Sequence, residues 1–450
     1  MTLSDKSIDV QLAGAAADLR LEQVPHDVQQ AAIDCIVDTV AVTLAGAGDP
    51  VARAVAAASG STGSAVMIGT ATTANPPDSA LVNGIAAHVL DFDDWLPAAR
   101  IHPSASLTAA VLASAQGQPG PVSGRRLVAA YVAGFEVQAR IGAALGPSHY
   151  EAGFHPTATI GVFGAAAAAA HVSGASAVAM ADALGLAATS AAGLRAAFGT
   201  AGKSIQVGNA ARNGVVAARL ACAGLSPMPI PVLDDRGFAA SHGHAVDHSI
   251  ATEPFESHWY LNEVAVKEHA SCFGTHAPID AVLSLREHLP IDRITAIDVT
   301  VSEVMRTVCA IPVPMTALEG KFSLAFTTAL AVVRGHCHVA DFTNEAVRAP
   351  ELGEVSRKVR LHFDDDVPPQ WARVQVTLDD GQVFQAEHDS ARPMTALHRR
   401  QVARHKLTTL ASAGLGQSRA REILAEIEGL LTDRSVSDLA RVLTLDGPST

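Results

Sequence analysis

A run of very small side chains constrains this chain more than any other feature. Residues 161–174 read GVFGAAAAAAHVSG, and residues 208–225, GNAARNGVVAARLACAGL, have the same texture. Alanine is the best helix former, and helices built from alanine and glycine can approach one another closely. From residue 8 to about 264 the text stays helical, rich in Ala, Leu and Val, broken by Gly, Pro and Ser, and poor in β-branched or aromatic clusters. The segment VPHDVQQAAIDCIVDTVAVTLAGAG places apolar residues at helical spacing and ends in glycine, a helix stop. Tightly packed helices around a central one are the expectation.

The pattern changes after about residue 290. ITAIDVTVSEVM alternates as a half-buried strand does, and VRLHFDDDVPPQWARVQVTLDDGQVFQAEHD reads as strands joined by a turn at Asp379, Asp380 and Gly381. Between them KFSLAFTTALAVVRG is helical, and SRAREILAEIEGLLTD later returns to helix. The predicted organisation is a helical domain over residues 1–264, an α+β domain over 265–400, and C-terminal helices over 401–450 that pack back on the first domain.

With 450 residues, 48% of them hydrophobic, the chain can bury a large core. Its net charge is −13, and its lysines and arginines are scattered singly, which argues against nucleic acid or an anionic membrane as partner. The apolar runs are interrupted by His, Thr, Ser or Asp before about 18 strongly apolar residues accumulate, so no membrane span is predicted. The first twenty residues lack the basic start and apolar core of a signal peptide, and a cytoplasmic location is expected. Five widely spaced cysteines, Cys35, Cys222, Cys272, Cys309 and Cys337, form no CxxC pair and read as reduced thiols.

Against this background AAHVLDFDDWLPAARIHPSAS, residues 86–106, is unusually rich in titratable groups. On a helix running to Trp95, His88, Asp91 and Asp94 are spaced by three and share one side, while Asp93 points elsewhere. Such a stripe in an apolar scaffold must meet water, a partner charge or a ligand. His102 precedes Pro103, and proline suits the first position of a helix, which makes His102 the N-cap. His155 and Pro156 repeat the device ahead of an alanine-rich helix. Each start aims free backbone N–H groups, an imidazole and a hydroxyl (Ser104 at the first) toward a common target, and the positive end of a helix dipole favours an anion such as a carboxylate.

Lys203 stands in a glycine-containing loop ahead of another helix, where it can pair with a substrate carboxylate or, if desolvated, act as a base. His276 begins a further helix, two residues before Pro278, and Lys267 lies just before it at the proposed domain boundary, where clefts form. His336, Cys337 and His338 in RGHCHVADFT are expected to diverge and show no fourth ligand, which argues against zinc. No GxGxxG follows a strand, and neither GxSxG nor GxxxxGK[ST] occurs.

Taken in order, NGIAAHVLDFDD with HPSAS, GFHPTATIGVFGAAAAAA, GKSIQVGNAARNG, THAPIDAVLSL, and KFSLAFTTALAVVRG with DFT resemble the MmgE/PrpD family along nearly the whole chain. That resemblance implies a mainly α fold with an inserted α+β lid domain, the large all-helical domain being completed by the C-terminal helices. It also implies a homodimer, no metal or organic cofactor, and an active site between the domains. It carries the active-site aspartate onto Asp91, the histidines onto His102, His155 and His276, and the lysine onto Lys203. Gln206 stands where many members have a histidine, and CAIPVPMTALEGKFSL lacks a tyrosine that several members place there.

The activities of the family that this resemblance brings into view (2-methylcitrate dehydratase, cis-aconitate decarboxylase and iminodisuccinate epimerase) act at a carbon beside a carboxylate. Cations and helix N-termini hold the carboxylates while a neutral base moves the proton. Epimerisation needs two bases on opposite faces of one carbon and loses nothing with the tyrosine. The leading expectation is therefore epimerisation of an iminodisuccinate-like small polycarboxylate, with Tyr150 as a second base and Ser104 and Lys267 as substrate contacts. Dehydration of 2-methylcitrate and decarboxylation of cis-aconitate are the alternatives, and an inactive dicarboxylate-binding homologue is the non-enzymatic one.

Overall fold

Small side chains set the helix spacing in the computed structural model, which describes residues 7–226, 230–234, 236–243, 246–432 and 434–445. The start of the N-terminal segment read for a signal peptide lies outside the described residues. Helices α1 (His26–Gly46), α2 (Pro76–His88), α3 (Pro103–Gln116), α4 (Gly124–Glu151), α5 (Gly161–Val172) and α6 (Gly202–Cys222) build most of one large apolar cluster. Two helices take the central place rather than one: α3 is buried from Pro103 to Ala115 and α5 from Gly161 to Ala170. A β-carbon on Gly214 of α6 would lie 2.5 Å from Ala165 Cβ and 2.7 Å from Ala166 N, both on α5. The glycine is what allows α6 to pack that close.

Helix α1 meets the length and apolarity of a membrane span by composition alone, yet 78% of its most apolar window is buried inside the protein. Its hydrophobicity serves the core, where it also carries Asp34 and Asp38.

A second apolar cluster gathers α7 (His276–Leu285), β1 (Ile294–Ser302), α8 (Leu324–Arg334), α9 (Pro350–Lys358), β2 (Val359–Asp364), β3 (Trp371–Leu378) and β4 (Val383–Asp389). The strands form a mixed sheet in the order β2-β1-β3-β4. β1 runs parallel to β2, with Val299 opposite Leu361, and antiparallel to β3, with Val299 opposite Val374. The β3–β4 hairpin turns through Gly381 at φ +83, where glycine avoids the strain a side chain would bring. Gly335, at φ +79, ends α8 in a left-handed cap.

The chain then returns to the first cluster through α10 (Ala396–Leu415), α11 (Gln417–Glu428) and α12 (Val436–Leu443). α10 is one continuous helix across residues 400 and 401. Among the described residues the chain is thus mainly helical, with a four-stranded mixed sheet and a two-stranded antiparallel pair, Ala65–Val66 with Thr73–Ala74.

Replacing a helical glycine by alanine ordinarily gains about 1 kcal/mol from propensity, whereas overpacking costs about 1–3 kcal/mol. At Gly214 the backbone contact decides the sign, so Gly214→Ala lowers the thermal midpoint. A β-carbon on Gly414 of α10 would meet nothing within 4 Å, and Gly414→Ala raises the midpoint. Thermal unfolding of both variants beside the parent checks the pair, and equal shifts would contradict the packing.

Candidate active site

Helix α2 stops at His88 and does not reach Trp95, and Asp91 just beyond it adopts φ +49. A left-handed residue cannot continue a right-handed helix, so His88, Asp91 and Asp94 do not share a helical face. Instead the loop turns its three carboxylates toward three different partners. Asp93 Oδ2 lies 2.7 Å from His88 Nδ1, and its other oxygen is 3.5 Å from His102 Nδ1. Asp94 accepts hydrogen bonds from the backbone N–H of Ser104 at 3.1 Å and from its hydroxyl.

Asp91 holds the centre. Its Oδ1 accepts from Lys203 Nζ at 3.0 Å and from Lys267 Nζ at 2.8 Å, and His102 Nε2 approaches to 3.9 Å. Lys267 also donates to the backbone oxygens of Asp91, at 2.9 Å, and Ser271, at 3.1 Å. Burial alone would raise the Asp91 pKa, but the two ammonium groups overcome it and hold the carboxyl well below its usual range. Asp91 Oδ2 is buried with no protein hydrogen-bond partner.

His102 and His155 are the N-cap residues of their helical turns, each followed by proline, but neither side chain caps. Their backbones set them: His102 N–H donates to Thr157 Oγ1 at 3.1 Å and His155 N–H to Gly193 O at 3.0 Å. Burial pushes both imidazoles well below the ordinary histidine pKa; Asp93 opposes this at His102, and Lys203 reinforces it at His155. Both rings are therefore neutral at physiological pH. Asp94, by contrast, is pushed up to about 8 by burial and by the nearby Asp38.

Asp91, His102, His155 and Lys203 face a cavity between the two apolar clusters, about 730 Å³ with open solvent at its mouth included. Asp91, Trp95, Arg100, His102, Tyr150, His155 and Lys203 line it from the first cluster's side, and Cys272, Phe273, Met305, Phe322 and Gln370 from the other. Arg100 sits at φ +52 in a hairpin where Leu96 N–H bonds Ile101 O at 2.9 Å. Its guanidinium is 3.9 Å from Glu151 and 5.7 Å from the centre of the Tyr150 ring. Tyr150 lies under Arg195 at 4.1 Å, and burial raises its pKa, which keeps the phenol protonated.

Three residues expected to touch substrate have other surroundings. Ser104 is fully buried and bonds Asp94 and Tyr131. Lys267 spends its three N–H donors on Asp91 and Ser271. His276 begins α7 but lies behind Phe273, ring centres 5.0 Å apart, and is absent from the cavity wall. These three support the wall rather than form it. Arg100 escaped the sequence reading because a lone arginine in a loop carries no motif. Lys321 was also missed: it is buried, donates to Ala270 O at 2.7 Å and to Leu90 O, and burial pushes it down to about 7.

His336 and His338 do not diverge as expected; they stack with ring centres 4.3 Å apart and 7° between planes. Asp341 pairs with Arg334 and His336, and one ring nitrogen of each histidine lies within 4.8 Å of the other and of an Asp341 oxygen, which makes three potential ligand atoms.

Residues 10–250 match the MmgE/PrpD N-terminal domain and residues 269–430 the MmgE/PrpD C-terminal domain. The cis-aconitate decarboxylase of Mus musculus is 28% identical over 479 residues, which cover 99% of this chain and 94% of that protein. The Homo sapiens cis-aconitate decarboxylase is 32% identical over 333 residues, 70% of this chain and 68% of its own. That of Aspergillus terreus is 27% identical over 460 residues, covering 95% and 94%.

Removing one partner of a buried ion cluster leaves uncompensated charge and costs about 3–5 kcal/mol. Asp91→Asn, which strands the Lys203 and Lys267 ammoniums, is expected to lower the unfolding free energy by about that amount. Denaturant unfolding measures it, and a change under about 0.5 kcal/mol, within the range of ordinary surface substitutions, would contradict the cluster's place in the fold.

Proposed function

Because the chain belongs to the MmgE/PrpD family, we propose that it is a lyase that decarboxylates a small unsaturated tricarboxylate of the cis-aconitate type. The observation that carries this reading is the cavity wall, where Arg100 and the ion-paired Lys203 face two neutral imidazoles, His102 and His155. The decarboxylases that share nearly the whole length of the chain favour loss of CO2 over epimerisation. The epimerase reading rests on the absent tyrosine and on a second base, Tyr150, which lines the cavity with the two imidazoles but is held protonated by burial.

In the proposed step the bond from a saturated carbon to its carboxylate breaks and CO2 leaves. The electron pair moves into the adjacent C=C system, the double bond shifts, and the far vinylic carbon gains one proton. A trianion in a partly buried cavity needs cations, and two lysines on one aspartate leave positive charge to spare. Lys203 faces the carboxylate whose neighbouring carbon becomes electron-rich, Arg100 takes a distal carboxylate, and His155 delivers the proton after collecting it at its free nitrogen. The residues around the sheet cover the cavity as a lid, and the working protein is a homodimer, a state that light scattering checks.

Incubation with cis-aconitate in D2O is expected to release CO2 and a dicarboxylate in equal amounts, the product carrying one solvent deuterium. Deuterium entering the α-carbon of an imino- or aminodicarboxylate without CO2 would establish the epimerase instead. An unsaturated tricarboxylate formed from 2-methylcitrate would establish the dehydratase. Thermal stabilisation by dicarboxylates with no turnover would leave a binding protein.

Arg100→Met removes one charge-assisted hydrogen bond of about 1.5–3 kcal/mol, so kcat/KM for the tricarboxylate falls by roughly 10- to 150-fold, mostly through KM. Steady-state kinetics on that variant checks the assignment, and an unchanged KM removes Arg100 from the substrate contacts.

A further inference from the structure

Gln206, on the first turns of α6, lies with its side chain against His155. The His155 Nδ1 atom is 2.9 Å from Gln206 Oε1. The same oxygen accepts the backbone N–H of Leu194 at 3.2 Å, and Gln206 Nε2 donates to the Leu194 carbonyl at 3.5 Å. The main chain of Leu194 thus fixes which end of the amide faces the imidazole, and that end is an acceptor.

An acceptor opposite Nδ1 requires a proton on Nδ1. A neutral imidazole has one N–H, so the lone pair sits on Nε2, which is buried, without a protein partner, on a residue of the cavity wall. The His155 backbone N–H is bonded to Gly193 O at 3.0 Å, and Phe198 stands edge-on to the ring with centres 5.1 Å apart. Gly193 permits the contact, since a β-carbon there would come within 2.7 Å of Ala158 Cβ and 3.3 Å of His155 Cβ.

We propose that Gln206 is a positioning residue that locks His155 in the Nδ1–H tautomer, making Nε2 the single atom through which the site exchanges a proton with substrate. The inference rests on the reading of His155 as the proton-carrying residue of the proposed reaction. Gln206 does not itself titrate. The charged and titratable groups facing the ring are Lys203 from α6, His88 from the end of α2 and Asp91 from the loop after it. Gln206 therefore places no titrating group against Nδ1, and the imidazole beside the ring is that of His88, with ring centres 5.8 Å apart.

Nitrogen NMR on 15N-histidine-labelled full-length protein reads the tautomer directly, with the His155 signals assigned by their loss in His155→Gln. The expected spectrum has a protonated Nδ1 and an unprotonated Nε2 near neutral pH. Gln206→Glu keeps the tautomer and sets a carboxylate against Nδ1–H, so the alkaline limb of the kcat/KM profile, set by loss of the proton that His155 delivers, moves up by about 1 pH unit or more. Gln206→Met removes the acceptor, so the tautomers mix and kcat falls by roughly 2- to 10-fold while KM stays within about 3-fold. A wild-type spectrum with the proton on Nε2, or a Gln206→Met protein with unchanged tautomer and kcat, would overturn the proposal. Should Gln206→Met fail to fold, the wild-type spectrum and the Gln206→Glu profile decide it. The expected spectrum without turnover of cis-aconitate would overturn the proposed reaction and still support the tautomer lock.

Discussion

One carboxylate oxygen, Asp91 Oδ1, accepts from two buried lysines that arrive from different parts of the chain. Lys203 comes from α6 in the first apolar cluster, and Lys267 from the segment leading into the second. Three charges withdrawn from water are stable only while they stay together. Asp91 can occupy that point because its backbone takes a left-handed conformation, at a cost of order 1–3 kcal/mol that the surrounding contacts must offset. Lys267 secures the strained residue by donating to both its side chain and its backbone carbonyl. The loop that follows, with Trp95 and Arg100 on the cavity wall, inherits its position from this cluster.

The same burial that makes the ion cluster necessary sets the state of the imidazoles. A ring withdrawn from water beside an ammonium resists protonation, so His102 and His155 stay neutral while Asp91 stays ionised. Two groups of opposite habit, a fixed charge and a neutral proton acceptor, thereby coexist on one wall. Helices packed through glycine and alanine make this possible, because they exclude water without filling the cavity with side chains.

Local rules made much of the fold legible. The alternation in ITAIDVTVSEVM and the Asp-Gly turn specify strands β1, β3 and β4 through neighbouring residues alone, and the His-Pro pairs mark two helix starts. Of the residues singled out in the sequence, Asp91, His102, Tyr150, His155 and Lys203 line the cavity, whereas Ser104, Lys267 and His276 do not, and their arrangement was not legible. Spacing by three put His88, Asp91 and Asp94 on one helix face, and the positive φ of Asp91 undoes that, a tertiary effect that no local pattern announces. Ser104 reads as a substrate-facing hydroxyl at a helix start, yet two buried partners claim it. Gln206 registers in the sequence as a missing histidine, and only the Leu194 backbone shows what the amide does. The preference for epimerisation leaned on an absent tyrosine. An absence excludes one residue from a role without selecting a reaction, and the decarboxylases similar along the whole chain weigh more.

A crystal structure of the protein with an unreactive tricarboxylate tests most directly whether the Asp91-centred wall is where the chemistry occurs. One carboxylate is predicted beside Lys203, a second at Arg100, and the carbon that is protonated within about 3.5 Å of His155 Nε2, the separation of reacting atoms in a near-attack geometry. A ligand seated outside this cavity, or one whose carboxylates avoid both Lys203 and Arg100, would contradict the assignment.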